Sequence, residues 1–118
     1  MPFIKVWGTR HYGQNFVDLD GVEIEIKKAV VGIEELGLDE RQVTVAFPLD
    51  VRDLDKARPL GDMIVEIDDL FAYPARTREV RLRVAAAVGT AVREAFPNAK
   101  LVKVFVLPFD PNESFWSG

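Results

Sequence analysis

Thr77-Arg78-Glu79-Val80-Arg81-Leu82-Arg83-Val84-Ala85-Ala86-Ala87-Val88-Gly89-Thr90-Ala91-Val92-Arg93-Glu94-Ala95-Phe96-Pro97, followed by Leu101-Val102-Lys103-Val104-Phe105-Val106-Leu107, decides how this chain folds. In the first run Val80, Val84, Ala87, Val88, Ala91, Val92 and Phe96 recur at helical spacing; Thr77 is placed to cap the helix and Pro97 to end it. Gly89 inside it costs about 1 kcal/mol relative to alanine and reads as a mark of close packing. The second run is β-branched and reads as a strand, as does Met63 to Ile67 upstream, which can continue to Phe71. The segment is therefore a strand-helix-strand unit.

The first half repeats the order. Phe3 to Trp7 reads as a strand with a turn at Gly8, and Thr9 to Gly21 as a polar, glycine-rich loop. From Val22 two readings compete: Val22, Ile24 and Ile26 alternate like a strand, whereas Val22, Ile26, Ala29, Val30, Ile33 and Leu36 keep helical spacing as far as Gly37. The helix is preferred, because the longer pattern ends on a glycine. Leu38 to Arg41 is then a tight connection, Val43 to Phe47 a strand closed by Pro48, and Asp50 to Gly61 a charged linker containing Pro59. The expectation is one domain over 1–118: a first β-α-β unit at 2–50, a linker at 51–61, a second unit at 62–107 and an aromatic tail at 108–118. Right-handed crossovers make the strands within each unit parallel. The predicted class is α/β (α+β), a four-stranded mixed sheet with both helices on one face. The other face would carry Thr44, Ala46, Ile64, Glu66, Asp68, Lys103, Phe105 and Leu107, a mixture suited to packing against further subunits.

Composition removes several function classes. Of 118 residues 48% are hydrophobic and 29% charged, ordinary values for a globular chain. With no cysteine there is no thiolate nucleophile and no cysteine-based zinc site. No run approaches the 18 or so apolar residues of a membrane span, and no charged-then-apolar leader opens the chain, so no membrane partner and a cytoplasmic location are expected. A net charge of -4 argues against nucleic acid, and the arginines from Arg76 to Arg83 are interrupted by Glu79, Val80 and Leu82, a pattern read as one helix face. Asp18-Leu19-Asp20-Gly21 lacks the remaining ligands of a calcium loop and reads as a turn ahead of a helix. Phosphate-loop, dinucleotide and serine-elbow motifs are absent, so neither metal nor cofactor is expected.

One position carries chemistry. If Met1 is removed, Pro2 becomes a secondary amine, both base and nucleophile, with its lone pair held in one direction by the ring. α-Amino groups titrate near pH ~8, and a dry pocket or a nearby cation brings that toward neutrality, where a general base works best. Lys5 is such a cation, or else a side chain at a subunit interface. Glu66 and Asp68 share a strand face as a proton relay, or as partners of Lys5 or Lys103 in ion pairs between subunits. Phe115 and Trp116 either wall a pocket or dock the tail on a neighbour, and His11, the only histidine, reads as a surface loop residue. If Met1 stays, Pro2 is an amide without basicity.

The order of elements, together with Met1-Pro2-Phe3-Ile4-Lys5-Val6, Gly37-Leu38-Asp39-Glu40-Arg41-Gln42-Val43-Thr44-Val45 and Phe96-Pro97-Asn98 leading to Leu101-Val102-Lys103-Val104-Phe105-Val106, resembles the tautomerase superfamily. That group includes 4-oxalocrotonate tautomerase, 5-carboxymethyl-2-hydroxymuconate isomerase and macrophage migration inhibitory factor, and the tail from Asn112 to Trp116 is similar to that of its longer members. The resemblance implies a homotrimer in which Pro2 moves a proton between the carbon and oxygen ends of a small keto or enol acid. It also implies a substrate-binding arginine, which Arg10 roughly matches from two residues nearer the proline; with Lys5, Glu66, Lys103, Phe105 and Trp116, singled out by their places in the predicted strands and tail, it makes up the candidate substrate-contacting set. Thr44 stands where the 4-oxalocrotonate enzyme has a strand-two arginine, and Phe105 and Leu107 replace a polar pair of some longer members. Two alternatives accompany the isomerase reading. One is a non-catalytic oligomeric scaffold or binding domain; the other is hydratase or decarboxylase-type chemistry at the same amine, with Glu66 activating water.

Overall fold

The computed structural model describes residues 2–9, 18–48, 62–71 and 73–109. Strand β1 (Phe3–Trp7) is followed by helix α1 (Leu19–Val31), two short 3-10 turns (Glu34–Leu36 and Glu40–Gln42) and strand β2 (Thr44–Ala46). Strand β3 (Met63–Phe71), helix α2 (Arg78–Ala95) and strand β4 (Val102–Phe109) form the second unit. The sheet order is β2-β1-β3-β4. β1 and β2 run parallel, as do β3 and β4, and β1 meets β3 antiparallel with Lys5 opposite Glu66. Two parallel β-α-β units joined at an antiparallel seam make the mixed sheet that the sequence predicts.

Side-chain alternation divides the sheet into two faces. Ile4 and Val6, Val45, and Met63, Val65 and Ile67 are buried beneath the helices. They meet Val22, Ile26 and Val30 of α1 and Val80, Val84, Val88 and Val92 of α2, whose spacing brings one stripe of each helix onto the sheet. Phe3, Lys5 and Trp7 face the other way, joined by Thr44, Ile64 and Lys103 in register. Ile64, Phe105 and Leu107 are exposed there, Phe105 by 48% and Leu107 by 49%.

α2 starts as predicted: the Thr77 side chain accepts from the Val80 amide at 3.3 Å, and the helix ends before Pro97. A methyl group at Gly89 would lie 3.2 Å from Val104 Cγ2, so this glycine lets α2 approach β4 closely.

The first helix differs from its predicted span of Val22 to Leu36. Asp18 caps it by accepting from the Asp20 amide, so Leu19 to Gly21 form its first turn rather than the end of a loop. It stops at Gly32, and Ile33 adopts extended backbone before the 3-10 turn of Glu34–Leu36 closes at Gly37 in the left-handed region, φ 62°. Ile33 and Leu36 are nonetheless buried. Their helical spacing reports burial on one side of the chain, not a continuous helix. β2 is also shorter than Val43 to Phe47. Asp39 caps the second turn by accepting from the Arg41 amide, while Gln42 reaches back to the Asp39 amide, and this reciprocal box occupies the approach to the strand. β3 does run on to Phe71, and β4 spans Val102–Phe109 instead of Leu101 to Leu107.

A one-residue bulge interrupts β3 between Ile67 and Leu70, with Asp69 at φ 57°. Beyond it Leu70, which plain alternation from Ile67 would turn outward, is buried at 1% exposure. Arg76 departs from the helix-face reading of the arginine run: it precedes Thr77 and is buried. Most of the predicted loop at Thr9 to Gly21, the linker at 51–61 and the end of the tail lie outside the described residues, along with His11, Phe115 and Trp116. Among the described residues no helix is long and apolar enough to cross a membrane.

Candidate active site

Pro2 is buried just ahead of β1, and its carbonyl accepts from the Thr44 amide at 3.1 Å. That bond fixes the parallel register and places Pro2 beside the capped turn leading into β2. There it lines a pocket of about 390 Å3, together with Glu35, Leu36, Gly37, Leu38, Gln42, Tyr73, Ala75 and Arg76. The wall is assembled from three places in the chain: the start of β1, the two 3-10 turns after α1, and the turn before α2. Each unit of the fold delivers a connection to the same spot.

Arg76 is the most constrained charge in this wall. The turn Tyr73 to Arg76 closes with the Arg76 amide donating to the Tyr73 carbonyl at 2.9 Å. Its guanidinium donates through Nη2 to the Leu36 carbonyl at 3.0 Å and lies 4.6 Å from the centre of the Tyr73 ring. Arg81 Nη1 donates in turn to the Arg76 carbonyl at 2.7 Å, anchoring the loop to the first turn of α2. Burial pushes the Arg76 pKa below its ordinary value, but arginine remains charged across the working range of proteins. The pocket therefore holds a cation with a fixed position.

Gln42 adds a neutral donor. Its Oε1 accepts from the Asp39 amide at 2.9 Å, and because a backbone N–H must meet an acceptor, that contact settles which end of the carboxamide is which. The NH2 end is left for other partners. Glu35 contributes the wall's carboxylate, and Arg83 of α2 grips it with two hydrogen bonds of 2.6 and 2.8 Å. The guanidinium holds the Glu35 carboxyl below its usual range, and the carboxylate raises Arg83 in return.

The site residues read from the sequence fall into separate groups. Pro2 lines the pocket. Lys5, Glu66, Lys103 and Phe105 lie on the open face of the sheet, so the structure does not bring them to that pocket. Lys5 Nζ is 2.9 Å from Asp68, which raises the lysine pKa, and Lys103 Nζ is 3.1 Å from Asp62. Lys5 and Asp68 line a second hollow of about 360 Å3 with Phe3, Asp69, Leu107 and Pro108. Arg10 and Trp116 lie outside the described residues. Sequence reading missed Gln42, Tyr73 and Arg76. Arg76 had a usable signal in the sequence: it follows the third predicted strand as Arg10 follows the first, positions that a duplicated layout makes equivalent.

No family model matches the sequence, and no curated protein matches it either. Solved structures do. The symmetric trimer of Q0 fused 4-OT superposes with a TM-score of 0.67 at 16% identity, covering 95% of this chain and 89% of that one. Macrophage migration inhibitory factor of Toxoplasma gondii gives 0.61 at 15% identity over 97% and 95% of the two chains. Pt0534, solved after inactivation by 2-oxo-3-pentynoate, gives 0.58 at 15% identity over 99% and 92%. At such low identities the likeness concerns backbone architecture alone: the chain has the tautomerase-superfamily fold.

Proposed function

We propose that, once Met1 is removed, Pro2 acts as the general base of a tautomerase that shifts a proton between oxygen and carbon in a small keto or enol acid. One observation carries this reading: Pro2 and a buried arginine line the same pocket. Exclusion from water and a neighbouring cation both favour the neutral secondary amine, the form with a usable lone pair. The Arg76 guanidinium would receive the substrate carboxylate, and the Gln42 NH2 group the oxygen that alternates between carbonyl and enol. The amine takes the enol proton as the O–H bond breaks and the C=O bond forms. The same proton, or one exchanged with water, is then delivered to carbon. Nothing is oxidised or reduced, and no group leaves.

The working unit in this reading is a homotrimer of one-domain chains. Its support is the open sheet face, where Ile64, Phe105 and Leu107 are exposed. A neighbouring chain could cover them.

The test begins with the intact mass of protein made without an N-terminal tag, which must fall short by one methionine. That protein is then treated with 2-oxo-3-pentynoate and screened against enolisable 2-oxo acids, with Pro2→Ala as control. Mass gain confined to the Pro2 peptide, with turnover lost in Pro2→Ala, supports the reading. Retention of Met1 in the native protein eliminates it in favour of a non-catalytic scaffold.

A further inference from the structure

The Pro2 pocket has an internal contradiction that its neighbours resolve. A site for an acid should not present a carboxylate to its ligand, yet Glu35 stands in the wall. Its carboxyl is held below the usual carboxylate range, so it carries a full negative charge at neutral pH. We infer that the Arg83–Glu35 pair is a charge mask: Arg83, from outside the cavity, cancels the carboxylate in its wall and so sets the pocket's preference for anions over neutral molecules. This rests on the proposed reading of the pocket and adds a selectivity residue to it.

Geometry supports the mask. Arg83 is not among the pocket residues, but both its terminal nitrogens reach the two oxygens of Glu35, the fork-to-fork arrangement that fixes a guanidinium against a carboxylate. Glu35 belongs to the 3-10 turn whose Leu36 carbonyl accepts from Arg76, so the pair also borders the group that would bind the substrate carboxylate. A purely structural role explains less. Both side chains are more than a third exposed, and an exposed ion pair adds little to stability. A charge in the wall of a concave site acts on what enters it, because low-dielectric walls focus its field. Removing Arg83 would uncover a negative charge beside the entering anion.

The experiment compares two reagents that label an exposed secondary amine by the same step, 2-oxo-3-pentynoate, which is an anion, and 3-butyn-2-one, which is neutral. In each case the amine nitrogen adds to the far alkyne carbon, one N–C bond forms, the displaced π pair takes up the proton from nitrogen, and nothing leaves. Rates of Pro2 labelling are followed by intact mass and peptide mapping for the native chain, Arg83→Gln, Arg83→Lys, Glu35→Gln and the Arg83→Gln/Glu35→Gln double variant. Arg83→Gln should lower the anion-to-neutral rate ratio by about three- to tenfold at low ionic strength and by little in 1 M salt. The double variant should recover the native ratio and Arg83→Lys most of it. Glu35→Gln alone should raise it, a result that remains available if Arg83→Gln fails to fold. An unchanged ratio in Arg83→Gln, or a fall that persists in the double variant, overturns the mask while leaving Pro2 as the base. If neither reagent labels Pro2 in the native chain, the amine reading and the mask fall together.

Discussion

Arg76 Nη2 stands 3.0 Å from the carbonyl oxygen of Leu36, forty residues earlier in the chain, and this one hydrogen bond joins the connections of both β-α-β units at the Pro2 pocket. Leu36 ends the turn after α1, and Gly37 next to it takes the left-handed conformation that turns the chain along the wall. The arginine is therefore a structural tie as well as a candidate ligand for substrate.

Arg76→Met keeps much of the apolar stem but removes the charged donor. A hydrogen bond to a charged group contributes roughly 1.5–3 kcal/mol, so urea denaturation should show a loss of about that size. Binding of 2-oxo acids should weaken as well. Arg76→Lys keeps the charge and loses the planar fork, so it should recover only part of either property.

Gly89 makes a packing prediction that does not involve the pocket. Gly89→Ala gains up to about 1 kcal/mol of helix propensity and loses some of it to the 3.2 Å approach to Val104 Cγ2. The single variant should come out close to neutral. In a Val104→Ala background the same change should stabilise by close to the full propensity gain, measured as a non-additive double-variant cycle in urea.

Acid should weaken the clamp between Glu35 and Arg83. The Glu35 carboxyl is lowered in the folded state, so its contribution is fully present above the unfolded carboxyl pKa and is lost as pH falls through the lowered folded value. Lys5 works in the opposite window. Its pKa is raised by Asp68, so its contribution is present below the ordinary lysine value and is lost as pH rises through the raised one. Arg83→Gln should flatten the acid side of the stability profile and Asp68→Asn the alkaline side. Both pairs are solvent-accessible, so 1 M salt should shrink each effect.

The open sheet face should govern assembly. Phe105→Glu with Leu107→Glu places two charges on exposed apolar positions of one face. If the native protein sediments as the proposed trimer, the double variant should give way to smaller species in sedimentation equilibrium, while its far-ultraviolet circular dichroism stays that of the folded chain. A native protein that sediments as a monomer would refute the proposed assembly.

The elements were legible in the sequence wherever one signal dominated. α2 has a cap, an unbroken stripe and a terminating proline, and its predicted limits match. α1 was harder, because Ile33 and Leu36 are buried at helical spacing on chain that has already left the helix at Gly32. Periodicity reports which side of a segment is dry, and a 3-10 turn can keep the same side dry. The pocket was less legible still. Pro2 could be singled out as a candidate from its position, but Arg76, Tyr73 and Gln42 meet it through the tertiary fold, and their places in the pocket wall depend on a carbonyl, a ring and a capping box that composition does not display.

The bulge at Asp69 acts as a change of phase in the second unit. Strand residues count in twos, so one extra residue exchanges inside and outside for everything downstream. With it, Leu70 enters the core and the chain goes on to deliver Tyr73 and Arg76 to the pocket that holds Pro2. The same chain run as a plain strand, with the extra residue kept in regular alternation instead of bulged, would have the same composition read out of step: Leu70 would face outward.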